Sequence, residues 1–259
     1  MRLKHPHLAQ RTTRLAGLSV LILALAGCQS IAGTQPVTQV RFIDASPDAP
    51  ALDLYQNLPQ SAAQSSQASL YGVGFGAVSS YMLLAPGVYT QAANVAGTQQ
   101  QIATVRSSFA AGGQYTVLAS NIAANLQMTI LKDQATPAPA GEVALRFLGQ
   151  ATRTGPVDLY LLAPGSSLSG ATLSGLAPIA SNLAFGVNTG YIDVPSNTYS
   201  IVALPAGSAP SSASVPLFTG SQALYPAGSA RTILLIDQQP LTTPGLQIIT
   251  ADDYDPSAS

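Results

Sequence analysis

Cys28 is the only thiol in the 259-residue chain, and it directly follows Leu25-Ala26-Gly27. A thiol can be acylated, can ligate a metal, or can attack a carbonyl. The last two need partners that this chain lacks. Its only histidines, His5 and His7, lie in the first few residues, and there is no tryptophan. If the chain is cut before Cys28, the remainder has no histidine, one lysine (Lys132) and one glutamate (Glu142). Ser-His-Asp and Cys-His catalysis are then excluded, as are the usual Cys/His zinc sites. The carboxylates that remain are Asp44, Asp48, Asp53, Asp133, Glu142, Asp158, Asp193, Asp237, Asp252, Asp253 and Asp255. A pair of carboxylates can hydrolyse a glycosidic bond, but no spacing singles out a pair. The expectation is a protein that is not an enzyme and carries no cofactor.

The residues before Cys28 define its chemistry. Arg2, Lys4, Arg11 and Arg14 form a basic stretch, and residues 15–26 form an apolar run. That run is shorter than the ~20 residues of a membrane-spanning helix. A basic, then apolar segment ending in small residues reads as a targeting signal. With the cysteine placed directly after it, the segment resembles a bacterial lipoprotein signal peptide. The resemblance implies cleavage between Gly27 and Cys28, a thioether-linked diacylglycerol on Cys28, and an N-acyl chain such as palmitate. Two or three chains hold a protein durably, each buried CH₂ adding ~0.8 kcal/mol. Gln29 follows Cys28; the absence of Asp there implies the outer membrane. The expected location is therefore the cell envelope, with the membrane as a partner through acylated Cys28.

After cleavage, six basic residues (Arg41, Arg106, Lys132, Arg146, Arg153 and Arg231) face the eleven acids, a net charge of −5. They are scattered, so no nucleic-acid partner is expected. A lone cysteine permits no disulfide framework, and stability has to come from apolar burial.

The elements that position these groups come in duplicate. VRFIDASPDAPALDLY at 40–55 aligns without gaps to LRFLGQATRTGPVDLY at 145–160. Arg41, Phe42, Asp53, Leu54 and Tyr55 recur at an offset of 105 as Arg146, Phe147, Asp158, Leu159 and Tyr160. Phe75-Gly76, Tyr81, Tyr89 and Gly97 recur at 110; Ala111-Gly112, Thr116 and Leu118 at 116; Leu126-Gln127 at 120. The offset always grows in the second copy, within Ser-, Gly-, Ala- and Pro-rich stretches, where surface loops tolerate added length. Runs such as Leu52-Asp53-Leu54-Tyr55 alternate apolar and polar, the period of a half-buried strand. Short runs of this kind, about seven per copy and separated by Gly and Pro, predict an all-β chain of two tandem immunoglobulin-like β-sandwiches. The predicted order is a signal peptide at 1–27, the lipidated cysteine and a tether at 28–37, and a first sandwich at 38–135. A Pro-rich linker at 136–141, a second sandwich at 142–251 and a frayed acidic tail at 252–259 follow.

The segment Ala45-Ser46-Pro47-Asp48-Ala49-Pro50-Ala51-Leu52-Asp53-Leu54-Tyr55 and the hairpin Ala85-Pro86-Gly87-Val88-Tyr89 resemble a bacterial extracytoplasmic family, domain of unknown function 4397. Its members carry an ASPDAPAVDVY segment and a VPAGTY hairpin. The second copy keeps Val157-Asp158-Leu159-Tyr160 and Val194-Pro195-Ser196-Asn197-Thr198-Tyr199, but replaces the Ser-Pro-Asp-Ala-Pro loop. The resemblance implies a β-sandwich in the envelope and supplies no activity, substrate or catalytic residue.

Candidate binding residues are few. Asp44 and Asp48 flank one loop and could offer oxygens to calcium, yet both are lost in the second copy, and Asp48 between prolines suits a turn. Asp53 and Asp158 recur, which assigns them to the fold. The paired tyrosines Tyr55/Tyr160, Tyr81/Tyr191 and Tyr89/Tyr199 read as packed rings with bonded hydroxyls. Tyr71, Tyr115 and Tyr225 have no tyrosine counterpart and are the candidates for a binding face. The expected function is a lipid-anchored, non-catalytic binding, adhesion or structural module of the envelope, with an envelope protein or a glycan as partner. The alternative is a carbohydrate-binding or glycan-processing accessory lipoprotein that uses its Asp residues.

Overall fold

The computed structural model describes residues 37–57, 67–166, 176–208, 210–211, 214–238 and 245–256. The chain is all-β, as its alternating runs predict, with one short 3₁₀ turn at Ala123–Asn125. The first half contributes β1 (Thr38–Asp44), β2 (Leu52–Asn57), β3 (Leu70–Val73) and β4 (Met82–Leu84). It continues with β5 (Gly87–Val95), β6 (Gln101–Phe109), β7 (Gln114–Ser120) and β8 (Gln127–Asp133). One sheet has the order β4-β1-β7-β8 and the other β3-β2-β5-β6. β1 and β7 run parallel; the other neighbours are antiparallel.

The second half repeats this plan. Its strands are β9 (Glu142–Gly149), β10 (Val157–Leu162), β11 (Ala180–Leu183), β12 (Asn188–Pro195) and β13 (Asn197–Pro205). β14 (Phe218–Thr219), β15 (Ala223–Tyr225), β16 (Ala230–Asp237) and β17 (Leu246–Tyr254) complete it. The sheets are β12-β9-β16-β17 and β11-β10-β13-β14, with β15 also on β13, and β9 runs parallel to β16. Thus β14 and β15 together occupy the place of β6. Each half has one strand position more than the seven anticipated, and its first two strands fall in different sheets.

Each pair of sheets encloses a core. Val40, Phe42, Leu52, Leu54, Ala93, Phe109 and Val117 are buried in the first. Val143, Leu145, Phe147, Leu159, Ile201, Ile233 and Leu235 are buried in the second. Successive side chains on a strand point to opposite faces. Arg41 and Ile43 on β1 therefore face away from the core that holds Val40 and Phe42, and both are buried. The same holds for Thr116 and Leu118 on β7, Arg146 and Leu148 on β9, and Thr232 and Leu234 on β16. These outward faces meet. Ile43, Ala45, Leu118, Leu148, Leu234, Ile236 and Ala251 form one cluster drawn from both halves. Strands covered on both faces read as near-continuous apolar runs, which is why Val40-Arg41-Phe42-Ile43 does not alternate.

Two expectations about connections change. The 136–141 segment is docked rather than free: Ala138 is buried with Ala144 and Ala230, and its N–H donates to the Gly228 carbonyl at 3.1 Å. Asp252, Asp253 and Tyr254 are not a frayed end, because they belong to β17. Asp253 is buried, and Asp252 pairs with Arg231 at 2.7 Å.

Candidate binding site

The described residues place the sequence candidates unevenly. Cys28, Gly27 and the tether before residue 37 lie outside them. Tyr71 stands on β3 and is 63% exposed. Tyr115 and Tyr225 do not form a binding face: they are 7% and 4% exposed. The Tyr115 hydroxyl accepts the Ala110 N–H at 3.0 Å, its ring packs edge-on to Phe109, and Tyr225 packs on Tyr199. Burial of large aromatic rings against one another outweighs exposure of a single hydroxyl.

Asp44 is fully buried. Its Oδ1 accepts the Ser46 N–H at 2.9 Å, while Oδ2 has no partner. Desolvation pushes its carboxyl up to about 7, against the pull of the Ser46 N–H. Such a group is a poor calcium ligand. Asp48 accepts the Ala123 N–H at 2.7 Å, as a turn residue does. Among the described residues, no group of three or more His, Cys, Asp or Glu side chains is placed to hold a metal. Asp53 bridges two turns, accepting Gly72 N–H at 2.7 Å and Gly97 N–H at 2.8 Å. Asp158 does the same with Asn182 and Gly207, at 2.8 and 2.9 Å.

The most organised polar site is the seam between the two sandwiches, and sequence reasoning missed it. Asp133 closes β8 and Asp253 lies near the end of β17, at the 120-residue offset. Asp133 accepts Arg146 Nη2 at 2.6 Å, Thr116 Oγ1 at 2.7 Å and Tyr81 OH at 2.8 Å. Asp253 accepts Arg41 Nη2, Thr232 Oγ1 at 2.7 Å and Tyr191 OH at 2.8 Å. Arg41 Nη1 donates to the Asp252 carbonyl at 2.7 Å, and Arg146 Nη1 to that of Lys132 at 2.9 Å. Each guanidinium also lies over its own tyrosine ring, 4.7 Å for Arg41 on Tyr81 and 4.8 Å for Arg146 on Tyr191. The contacts are reciprocal, each arginine reaching the other half's aspartate, as in a two-fold interface folded into one chain. Burial and the neighbouring Asp133 push the Tyr81 hydroxyl far up, so it stays a neutral donor. All the carboxylate oxygens and both guanidinium groups are engaged, so the network holds structure and offers no free acid or base. The recurrence of Arg41/Arg146, Tyr81/Tyr191 and Thr116/Thr232 was its visible sign.

Two concavities are prominent. One, of about 340 Å³, runs along the turn from Ala110 to Tyr115 and beside Lys132 to Thr136. The other, of about 180 Å³, lies in the seam itself. Leu118, Leu131, Leu148, Ser120 and Gln150 line it together with Gln127, Thr129, Phe185, Gly186 and Asn188.

Comparison with known proteins adds the following. The family model described as "Domain of unknown function (DUF4397)" matches residues 38–160. No curated protein matches the chain. Among solved structures, a leucine-rich repeat protein from Bacteroides thetaiotaomicron is 10% identical with a TM-score of 0.21. The match covers 77% of this chain and 26% of that one, so the chain spans about a quarter of that protein's length. A structure titled for alpha-glucan binding by a streptococcal virulence factor is 13% identical, covering 76% and 92%, with a TM-score of 0.25. A family CBM26 module from Eubacterium rectale in complex with maltoheptaose is 9% identical, covering 85% and 99%, also at 0.25. At such scores the fold is read from the sheets themselves.

Proposed function

We propose that this protein is a cell-envelope binding module, anchored to the outer membrane through acylated Cys28 and free of catalysis. Residues 142–254 are read as a second copy of the first sandwich, which lies within the family match at 38–160; the repeated sheet order supports this. The observation that carries the functional reading is the reciprocal seam. Two of the carboxylates that could have done acid–base work, Asp133 and Asp253, are buried in it and paired with Arg146 and Arg41. What they achieve is a fixed relation between two sandwiches, and a fixed pair of domains is a scaffold for recognition. The partner is an envelope protein or glycan.

The test has two arms. A Cys28→Ser variant is expected to leave the membrane fraction while keeping its β circular dichroism; retention in the membrane overturns the anchor. Purified residues 29–259 are expected to bind envelope components without converting them. Turnover of a glycan or peptide that a single Asp→Asn change abolishes would overturn the non-catalytic reading.

A further inference from the structure

The seam is reciprocal at its centre but not at its flanks. On both flanks the backbone frame is the same. Ala45 N–H donates to Ala119 O at 2.8 Å, and Gln150 N–H to Leu235 O at 2.7 Å. Gly76 N–H donates to Asp44 O, and Gly186 N–H to Gly149 O, each at 2.8 Å. Phe42 N–H donates to Ser79 Oγ at 2.8 Å, and Phe147 N–H to Thr189 Oγ1 at 2.9 Å. The side chains set on this frame differ. One flank carries Ala45, Phe75, Val78, Ile236 and Ile249, all part of the apolar cluster. The equivalent positions on the other flank carry Gln150, Phe185, Asn188, Ser120 and Thr129, and there the seam stands open as the 180 Å³ cleft.

The cleft has a definite chemistry. Its floor is apolar, from Leu118, Leu131 and Leu148. Its walls carry hydroxyls and amides and no charged side chain. Gln150 is 5% exposed, and its Oε1 has no partner within the protein. A buried acceptor left unbonded is costly, and the Gln150 amide gains a bond by turning toward a donor in the cleft. Phe185, 37% exposed, also lines it. The volume is below the ~300–1,000 Å³ of drug-sized pockets and suits one ring. A pyranose has an apolar face, a rim of neutral hydroxyls and that size.

We propose that this cleft binds one neutral hexose unit of a glycan. The hexose lies with one face toward Phe185 and the leucine floor, and donates a hydroxyl to the Gln150 amide, which turns from its buried position to meet it. This deepens the binding-module reading and rests on it. The other flank, with the same backbone and apolar side chains, is closed to the same ligand.

D-glucose, D-galactose and N-acetylglucosamine titrated separately into residues 29–259, followed by ¹⁵N-resolved NMR, test the assignment. At least one sugar is expected to give saturable shifts at the Gln150 side-chain amide and at the Asn188 and Gly186 amides. Gln150→Ala should weaken that sugar by about fivefold or more, the effect of one lost hydrogen bond. Asn188→Val, which installs the residue of the closed flank at an exposed position and gives up only the Gly190 N–H to Asn188 Oδ1 bond, should weaken it similarly. Thr129→Ile, which installs the residue of the closed flank, should abolish binding. Saturable shifts for none of the three sugars, or shifts that survive Asn188→Val and Thr129→Ile, overturn the proposal. Those results leave the binding-module reading intact, which falls instead if the bound sugar unit is turned over as part of a larger glycan.

Discussion

Asp44 shows how far a single residue can depart from what its type suggests. An acidic residue in a loop beside two others invites a cation, but Asp44 ends β1, turned to the face opposite Ile43, and is fully buried. One oxygen is bonded to Ser46 and the other to nothing. Its carboxyl titrates near 7 in the folded chain, against about 3.9 when unfolded. The folded state therefore holds a proton that the unfolded state has lost throughout the window between these values. Stability from this group is fully present below about pH 4, and is lost as pH rises to about 7, by up to about 4 kcal/mol. Asp44→Asn mimics the neutral form. Urea melts between pH 4 and pH 8 are expected to show a decline in the wild type that is much shallower in the variant, with the variant the more stable at pH 8. Parallel curves would refute the assignment. Asp53 is the contrasting case: its recurrence as Asp158 was legible as a fold role, and it ties two turns through Gly72 and Gly97.

At the scale of elements, strand positions and their alternation were readable because period and turn residues are local properties. The seam was not. Arg41 and Arg146 are embedded in runs that read as ordinary strands, and their carboxylates come from the partner half, more than two hundred residues away for Arg41 and Asp253. No local pattern encodes a pairing across copies, and so β17 was read as ending before its functional residues. The cleft was legible only as a set of mismatches between copies, such as Ala45 with Gln150, that acquire meaning once both are known to line a seam. The role of β17 is open to direct measurement. Asp253→Ala leaves buried Arg41 with only the Asp133 carboxylate, 3.8 Å away, and strips Thr232 and Tyr191 of their acceptor. Breaking a buried pair in this way costs about 3–5 kcal/mol. Asp252→Asn, one residue away, removes only a half-exposed pair with Arg231, worth about 0–1 kcal/mol. Denaturation midpoints for the two variants are expected to separate accordingly. A frayed tail would make both silent.

At the scale of the whole molecule, the two sandwiches are bound by surfaces that neither can leave exposed. Ile43 and Leu118 from the first half meet Leu148, Leu234 and Ile236 from the second. Beside this apolar patch lie the buried ion pairs. An isolated first half would present a contiguous apolar face rimmed by Arg41, Thr116, Tyr81 and Asp133, the kind of surface that marks an interface. That half also contains one of every group the reciprocal network uses. Two copies can therefore rebuild it, with Arg41 of each reaching Asp133 of the other in place of Asp253. The rebuilt seam loses the native apolar flank, because Ser120 and Thr129 there replace Ile236 and Ile249. Residues 37–136 expressed alone are expected to sediment as a dimer at tens of micromolar, and Arg41→Ala should shift them to monomer or to an unfolded chain. The full chain should sediment as a monomer and unfold in one transition, since opening the seam exposes both faces at once. A stable, folded monomer of the isolated half would show that each sandwich can leave this face in water. The reciprocal contacts would then be a consequence of tethering rather than its reason.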